Sequence, residues 1–336
     1  MLSSKMTDSQ TDPNILWVVT NFPNPRNPQS GLFNAELARY VGSQCRLDVL
    51  VLVPWFVPLK RYKMQRKLMS TLPDQIKYPT YTAHFLRVPY VPQWKLGSNF
   101  ATSASVLLNM LSAMIWRRRR GMRPTLIHAH IGVNAFVGAL IARSVHAPLV
   151  TTVQGSDINY GIDRSVGNRF RRWATLFGLR SSAAIVGVSP SICRKVVETG
   201  IPNSRVTQIP NGFDVSKFYP MSRADSRQKL GLPLDKKIVL YVGNLVPVKG
   251  VDILIDAFDR IRSVDDGPVL YCVGDGSEAP LLKSRIKERN LEKNVFLLGR
   301  RPHDEIPLWM NACDLFVLAS RNEGWPTVLS EVLACG

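Results

Sequence analysis

The sequence predicts an α/β protein of two Rossmann-like domains facing a cleft, and three observations carry that expectation. Its 336 residues exceed one ordinary domain. Short apolar runs alternate with helical stretches, as in parallel sheets covered on both faces. That series halts at the turn-forming Pro210-Asn211-Gly212 and resumes at Ile238.

In the first series, Ile15–Thr20 (ILWVVT) and Leu47–Val53 (LDVLVLV) read as buried strands. Between them Phe33–Val41 has helical spacing, with Phe33, Leu37 and Val41 on one face. Leu126–Ala129, Leu149–Val153 and Ala184–Val188 continue the strands. Ser189-Pro190 opens a helix with a cap and a first-turn proline. The second series runs through Ile238–Val242, Val269–Val273, Val295–Leu298 and Leu315–Leu318, with helices at Val251–Ile261 and Glu278–Arg289. The domain plan is a flexible tail over 1–14, a first domain over 15–214, a linker over 215–231 and a second domain over 232–336.

The net charge of +18 is one-sided. Residues 1–220 hold 27 Lys and Arg against 9 Asp and Glu, whereas residues 221–336 hold 16 of each. The excess gathers at Lys60–Lys67, Arg117–Arg123 and Arg164–Arg180, which points to a polyanionic partner for the first domain alone. These arginine blocks flank apolar helices and lack interleaved aromatics of a nucleic-acid module, so an anionic membrane is expected and nucleic acid is not. Ala104–Trp116, ending in four arginines, reads first as a packed helix with C-terminal cations and second as a helix dipping into an anionic leaflet. Neither a secretion signal nor a spanning segment is visible, and the five scattered cysteines suit a reducing compartment. A cytoplasmic location at the inner membrane face follows as the expectation.

Chemistry concentrates at the end of the chain. Glu323-Gly324-Trp325-Pro326 follows the last strand and precedes a helical run, Thr327–Cys335. Gly324 permits close backbone approach, and Pro326 suits the first helical position. Free amides at that helix start suit a diphosphate. Glu331, about a turn and a half in, could accept hydrogen bonds from a ribose. No metal site is readable: there is no Cys-x-x-Cys or Asp-x-Asp pair.

EGWPTVLSEVLACG (Glu323 to Gly336) resembles the Glu-x7-Glu motif of family 4 retaining glycosyltransferases, whose fold is GT-B. Gly243-Asn244-Leu245-Val246-Pro247-Val248-Lys249-Gly250 resembles that family's Gly-Arg-Leu-x-x-x-Lys-Gly segment, and Pro210-Asn211-Gly212-Phe213-Asp214 its interdomain signature. His128-Ala129-His130 and Gln154-Gly155-Ser156-Asp157 fall where the family has a His-x-His strand end and a His-Gly-Ser-Asp loop. The resemblance covers Asn14 to Gly336, and its opening string is nearest to teichuronic-acid and exopolysaccharide members.

The resemblance implies roles. Lys249 would hold the donor diphosphate, with Asn244, Gly324, Trp325 and Pro326 lining the same site. Glu323 would contact the donor sugar, Glu331 the ribose, and Gly31 would form a close-approach loop near the phosphates. His130 would face the cleft as a catalytic candidate, with Gln154, Ser156 and Asp157 shaping the acceptor or sugar pocket. Asn244 stands where the family has arginine, and Gln154, which cannot titrate, where it often has histidine. The family also continues past the motif helix, so the second domain is expected to be incomplete. The implied activity is hexosyl transfer from a UDP- or GDP-linked donor, without a cofactor or metal. The acceptor would be a glycan or lipid diphosphate of the bacterial cell envelope. A donor-binding fragment and a sugar-nucleotide epimerase on the same fold are the alternatives.

Overall fold

A computed structural model describes residues 13–25, 27, 28, 30–56, 70–90, 98–130, 132–155, 158, 169–261 and 267–336. The chain forms two compact units, Met1–Asn211 and Gly212–Gly336.

Among its described residues, unit 1 carries eight strands: β1 (Asn14–Val19), β2 (Arg46–Phe56), β3 (Gln75–Lys77), β4 (Thr82–Tyr90), β5 (Leu126–His130), β6 (Leu149–Val153), β7 (Ala184–Gly187) and β8 (Val206–Gln208). Their order is β3-β4-β2-β1-β5-β6-β7-β8, parallel except for the antiparallel edge strand β3. Period-two alternation makes the layers. Leu16 and Val18 of β1 join one buried cluster with Leu50, Leu52, Ile127 and Ala129. Trp17 and Val19 point the other way, into a cluster with Val49, Val51 and Phe85. With both faces covered, the strands read as continuous apolar runs rather than alternating ones. The helices among the described residues are α1 (Leu32–Gly42), α2 (Ser98–Arg119), α3 (Gly132–Val145), α4 (Arg169–Ser181) and α5 (Pro190–Val197). Ser189 caps α5 by accepting a hydrogen bond from the Ile192 amide, with proline next, as expected.

Unit 2 orders β9 (Ile238–Val242), β10 (Val269–Val273), β11 (Val295–Gly299) and β12 (Leu315–Phe316) as β11-β10-β9-β12, all parallel. Its longer helices are α6 (Arg223–Leu230), α7 (Val251–Ile261), α8 (Ala279–Glu288), α9 (Ile306–Ala312) and α10 (Thr327–Cys335). In both units the strand order reverses beside the first strand, between β1 and β5 and between β9 and β12. Ligands of doubly wound sheets sit outside the carboxyl ends of the strands at such a reversal.

Several elements differ from expectation. The segment expected as a linker, 215–231, belongs to unit 2 and contains α6. Arg227 fixes that helix: buried, it donates to the carbonyls of Ala312 (2.9 Å), Leu234 and Lys236 and pairs with Asp314 at 2.6 Å. Asp314 in turn accepts the Ile238 amide at 2.7 Å, tying α6 to the start of β9. β1 begins at Asn14, inside the expected tail, because its amide bonds the Thr125 hydroxyl. The helix expected at Ala104–Trp116 extends over Ser98–Arg119. β4 was not foreseen: Pro89 and polar residues mask it, and the proline falls beyond the short stretch paired with β3.

Candidate functional site

At the switch point of unit 2, β9 leads into Gly243-Asn244 and a short 3-10 turn, Pro247–Lys249, before α7. β12 leads into residues 317–326 and then α10. The two connections meet. Lys249 Nζ lies 2.5 Å from Glu323 Oε1, with both side chains about three-quarters buried. The Arg321 amide donates to Val248 O at 2.8 Å. Beneath them, Tyr241 Oη donates to Asn244 O at 3.0 Å, and burial, reinforced by Cys272 and Glu323, keeps that phenol protonated. The result is one lysine and one carboxylate, locked side by side, between two helix N-termini.

Close backbone approach makes this possible. Gly250, at φ +64°, has no room for a Cβ, which would stand 2.1 Å from Ala319 O. Glu331 is half-buried on the second turn of α10, and Gly324 and Trp325 are half-buried in the preceding loop. Pro326 is the N-cap of α10, one residue before its expected place. Asn244 is exposed, and its carbonyl supports Tyr241.

Two partners escaped the sequence reading. Arg321 grips Asp252 of α7 with both terminal guanidinium nitrogens, at 3.0 and 2.7 Å, and also donates to Pro247 O. The hydrogen bond from Arg321 is the main cause holding the Asp252 carboxyl below its usual range. This fork clamps the Glu323 loop onto the Lys249 turn. Nothing in residue type or spacing marks it, since residues 252 and 321 lie 69 apart. Arg321→Ala is therefore expected to weaken ligand binding at this switch point several-fold with little change in the thermal midpoint. Asp252→Asn should add little on top of it in a double-mutant cycle, and full additivity would show that the fork does not position the loop.

In unit 1, Gly31 caps α1 at φ +63°, where a Cβ would meet Asn21 O at 2.3 Å. Asn34 donates to that same oxygen at 2.8 Å, so the loop after β1 folds tightly over the end of its strand. His128 and His130, two apart on β5, lie on one face, as the period-two alternation of a strand requires. Their rings stand 4.4 Å apart and both meet Trp17. His130, expected to face a cleft, is 1% exposed, and its position at the strand end is fixed by Asn134 Nδ2, 2.6 Å from its carbonyl. His128 Nε2 shares a 2.8 Å hydrogen bond with Thr152 Oγ1. Burial pushes His128 down to about 4, and burial followed by the neighbouring His128 pushes His130 well below its ordinary value. Gln154 and Gly155 follow β6, while Ser156 and Asp157 lie outside the described residues.

Both rings are neutral in the fold, whereas an unfolded chain protonates its histidines below about 6.5. Stability is therefore level above that pH and falls as pH drops from there towards 4. The unit 1 melting midpoint should drop between pH 7 and pH 5.5, above the carboxylate range, and the drop should shrink in His130→Gln. An unchanged midpoint across that interval would contradict the burial assignment.

Comparisons with known proteins agree across both units. The family model for glycosyl transferases group 1 matches residues 222–336, and that for glycosyltransferase family 4 matches residues 73–217. The chain is 30% identical over 329 residues to TuaC of Bacillus subtilis (strain 168), a glycosyltransferase named for teichuronic acid biosynthesis, covering 95% of this chain and 78% of TuaC. It is 30% identical over 220 residues to the UDP-Gal:alpha-D-GlcNAc-diphosphoundecaprenol alpha-1,3-galactosyltransferase of Escherichia coli, covering 63% of this chain and 56% of that enzyme. Among solved structures, Anabaena HepE in complex with UDP superposes with a TM-score of 0.66 at 20% identity, over 96% of this chain and 78% of HepE.

Proposed function

The chain belongs to the family 4 glycosyltransferases and has their GT-B fold, and from that premise we propose a retaining transfer of a hexose from a UDP- or GDP-linked donor. The acceptor on this reading is a lipid-linked diphosphate or growing polysaccharide of the bacterial cell envelope, met at the cytoplasmic face of the membrane. The observation that carries it is the Lys249–Glu323 pair at the unit 2 switch point. The names of TuaC and the undecaprenol-linked galactosyltransferase support the acceptor class, and HepE, crystallised with UDP, supports the donor class.

The chemistry follows from the charges. The donor diphosphate takes Lys249 as its counter-ion, and the amides beginning α7 and α10 face its oxygens. Glu323, no longer held by the lysine, accepts hydrogen bonds from the sugar hydroxyls, and Glu331 accepts from the ribose. As the glycosidic bond breaks, charge builds on the leaving diphosphate, where Lys249 and the helix dipoles stabilise it without a resident metal. The acceptor oxygen bonds to the anomeric carbon on the face from which the diphosphate departs and gives its proton to the leaving phosphate, so the anomeric configuration is kept.

Calorimetric titration with UDP, GDP and ADP tests the donor site. One nucleotide is expected to bind selectively, and Glu331→Ala and Lys249→Ala to weaken it. A folded protein that binds none of the three would overturn the reading.

A further inference from the structure

The C-terminal half of α2 has two faces of opposite purpose. Val106, Ala113 and Arg117 are buried, with Met110 and Trp116 packed on the core beside them. The outward positions are Leu107, Leu111 and Ile115, 41%, 50% and 50% exposed, at the i, i+4, i+8 spacing of one helical stripe. A surface helix ordinarily places polar residues there. The stripe runs into Arg118 and Arg119, which point to solvent. Their neighbours are otherwise engaged: Arg117 donates to Met122 O at 3.1 Å, and Arg120 bonds Gln75 and lies over Trp116.

The helices on this side carry one sign of charge. No Asp or Glu occurs between Asp74 and Asp157, nor between Asp163 and Glu198, so α2, α3 and α4 contain none. α4 packs against α2 through Phe170, Ala174 and Val106, presents Trp173 at 51% exposure and contributes Arg169 and Arg180 at the surface.

We propose that this face, Leu107-Leu111-Ile115 with Arg118 and Arg119, docks the protein on an anionic lipid surface. A leaflet satisfies both halves of the stripe: the aliphatic residues enter the acyl boundary while the guanidinium groups meet lipid phosphates. Nucleic acid leaves the aliphatic residues unused. A stripe roughly 12 Å long, at about 1.5 Å per residue, is narrow for a lasting protein interface. The helix lies on the surface rather than through it, since no described helix is long and apolar enough to span a membrane. The inference deepens the proposed acceptor class by naming the surface that reaches it, and it rests on that reading only for its purpose.

Sedimentation with vesicles tests it, using equal parts phosphatidylglycerol and phosphatidylcholine against phosphatidylcholine alone. The native chain is expected to bind the mixed vesicles and not the neutral ones. Leu107→Ser/Leu111→Ser/Ile115→Ser should weaken partitioning on the order of a hundredfold. Arg118→Ala/Arg119→Ala should weaken it about twenty-five-fold, at roughly one factor of five per arginine. Neither variant should change UDP affinity, so a failure here is separable from a failure of the donor site. The proposal is overturned if the native chain ignores mixed vesicles, if the serine variant binds as the native chain does, or if the stripe instead joins two copies of the chain and the variant dissociates them. Should the serine variant not fold, hydroxyl-radical footprinting of the native chain decides. Lower labelling of Leu107, Leu111 and Ile115 on adding mixed vesicles is expected, and unchanged labelling would overturn the proposal.

Discussion

Lys249→Ala is expected to lower kcat/KM for sugar transfer by about two to three orders of magnitude, the usual cost of removing one preorganised donor facing developing charge. Two losses combine. The leaving diphosphate loses its counter-ion, and Glu323, 2.5 Å from Lys249 in the structure, becomes a carboxylate without its cation beside a dianionic ligand. UDP or GDP binding should therefore weaken together with turnover. Glu323→Gln separates the partners. It frees Lys249 from its ion pair, so nucleotide binding should hold or tighten, whereas turnover falls because a neutral amide accepts more weakly from the sugar hydroxyls. Transfer assays beside calorimetry on both variants check this. Parallel losses of nucleotide affinity in the two would mean that Glu323 serves only to place the lysine.

That experiment is possible because the site's ends were legible before its middle. Strands β1, β2, β9 and β10 are apolar on both faces, so Leu16 and Trp17 announce themselves even though they enter different layers. Glu323 and Glu331 stand out because a strand end and a helix start bracket them, whereas Lys249 is marked only by the resemblance of residues 243–250 to the family's segment. α6 stayed hidden because its sequence, RADSRQKL, carries only Ala224 and Leu230 as apolar residues and is anchored by Arg227 reaching backbone carbonyls and Asp314. No periodicity detects such an anchor. Arg321 and Asp252 stayed hidden for a related reason: their meaning lies in a pairing across the fold, and each alone reads as a surface charge. His130 shows the converse error. A histidine at a strand end invites a catalytic role, but its ring is packed between Trp17 and His128, a burial that only the tertiary layers reveal.

Gly250→Ala carries the largest expected loss of stability, and Gly231→Ala is its control. Both glycines hold the left-handed conformation, at φ +64° and +65°. Gly231, closing α6, has nothing within 4 Å of an added Cβ, so alanine there costs only the backbone strain, about 1 kcal/mol. At Gly250 the same strain is joined by Ala319 O, 2.1 Å from the added carbon and held in the chain that continues to Arg321 and Glu323. With the cost of overpacking added, unit 2 should lose about 3 kcal/mol in denaturant unfolding. Equal losses in the two variants would show that the 319–323 segment yields freely. If the segment does yield, the site registers the movement, because the Arg321 amide bond to Val248 and the Glu323 contact with Lys249 both cross the seam that Gly250 closes. Under native conditions, where Gly250→Ala remains folded, nucleotide affinity should therefore fall while in Gly231→Ala it is kept. That contrast places the glycine's importance in the approach of two strand-end loops rather than in the helix it precedes.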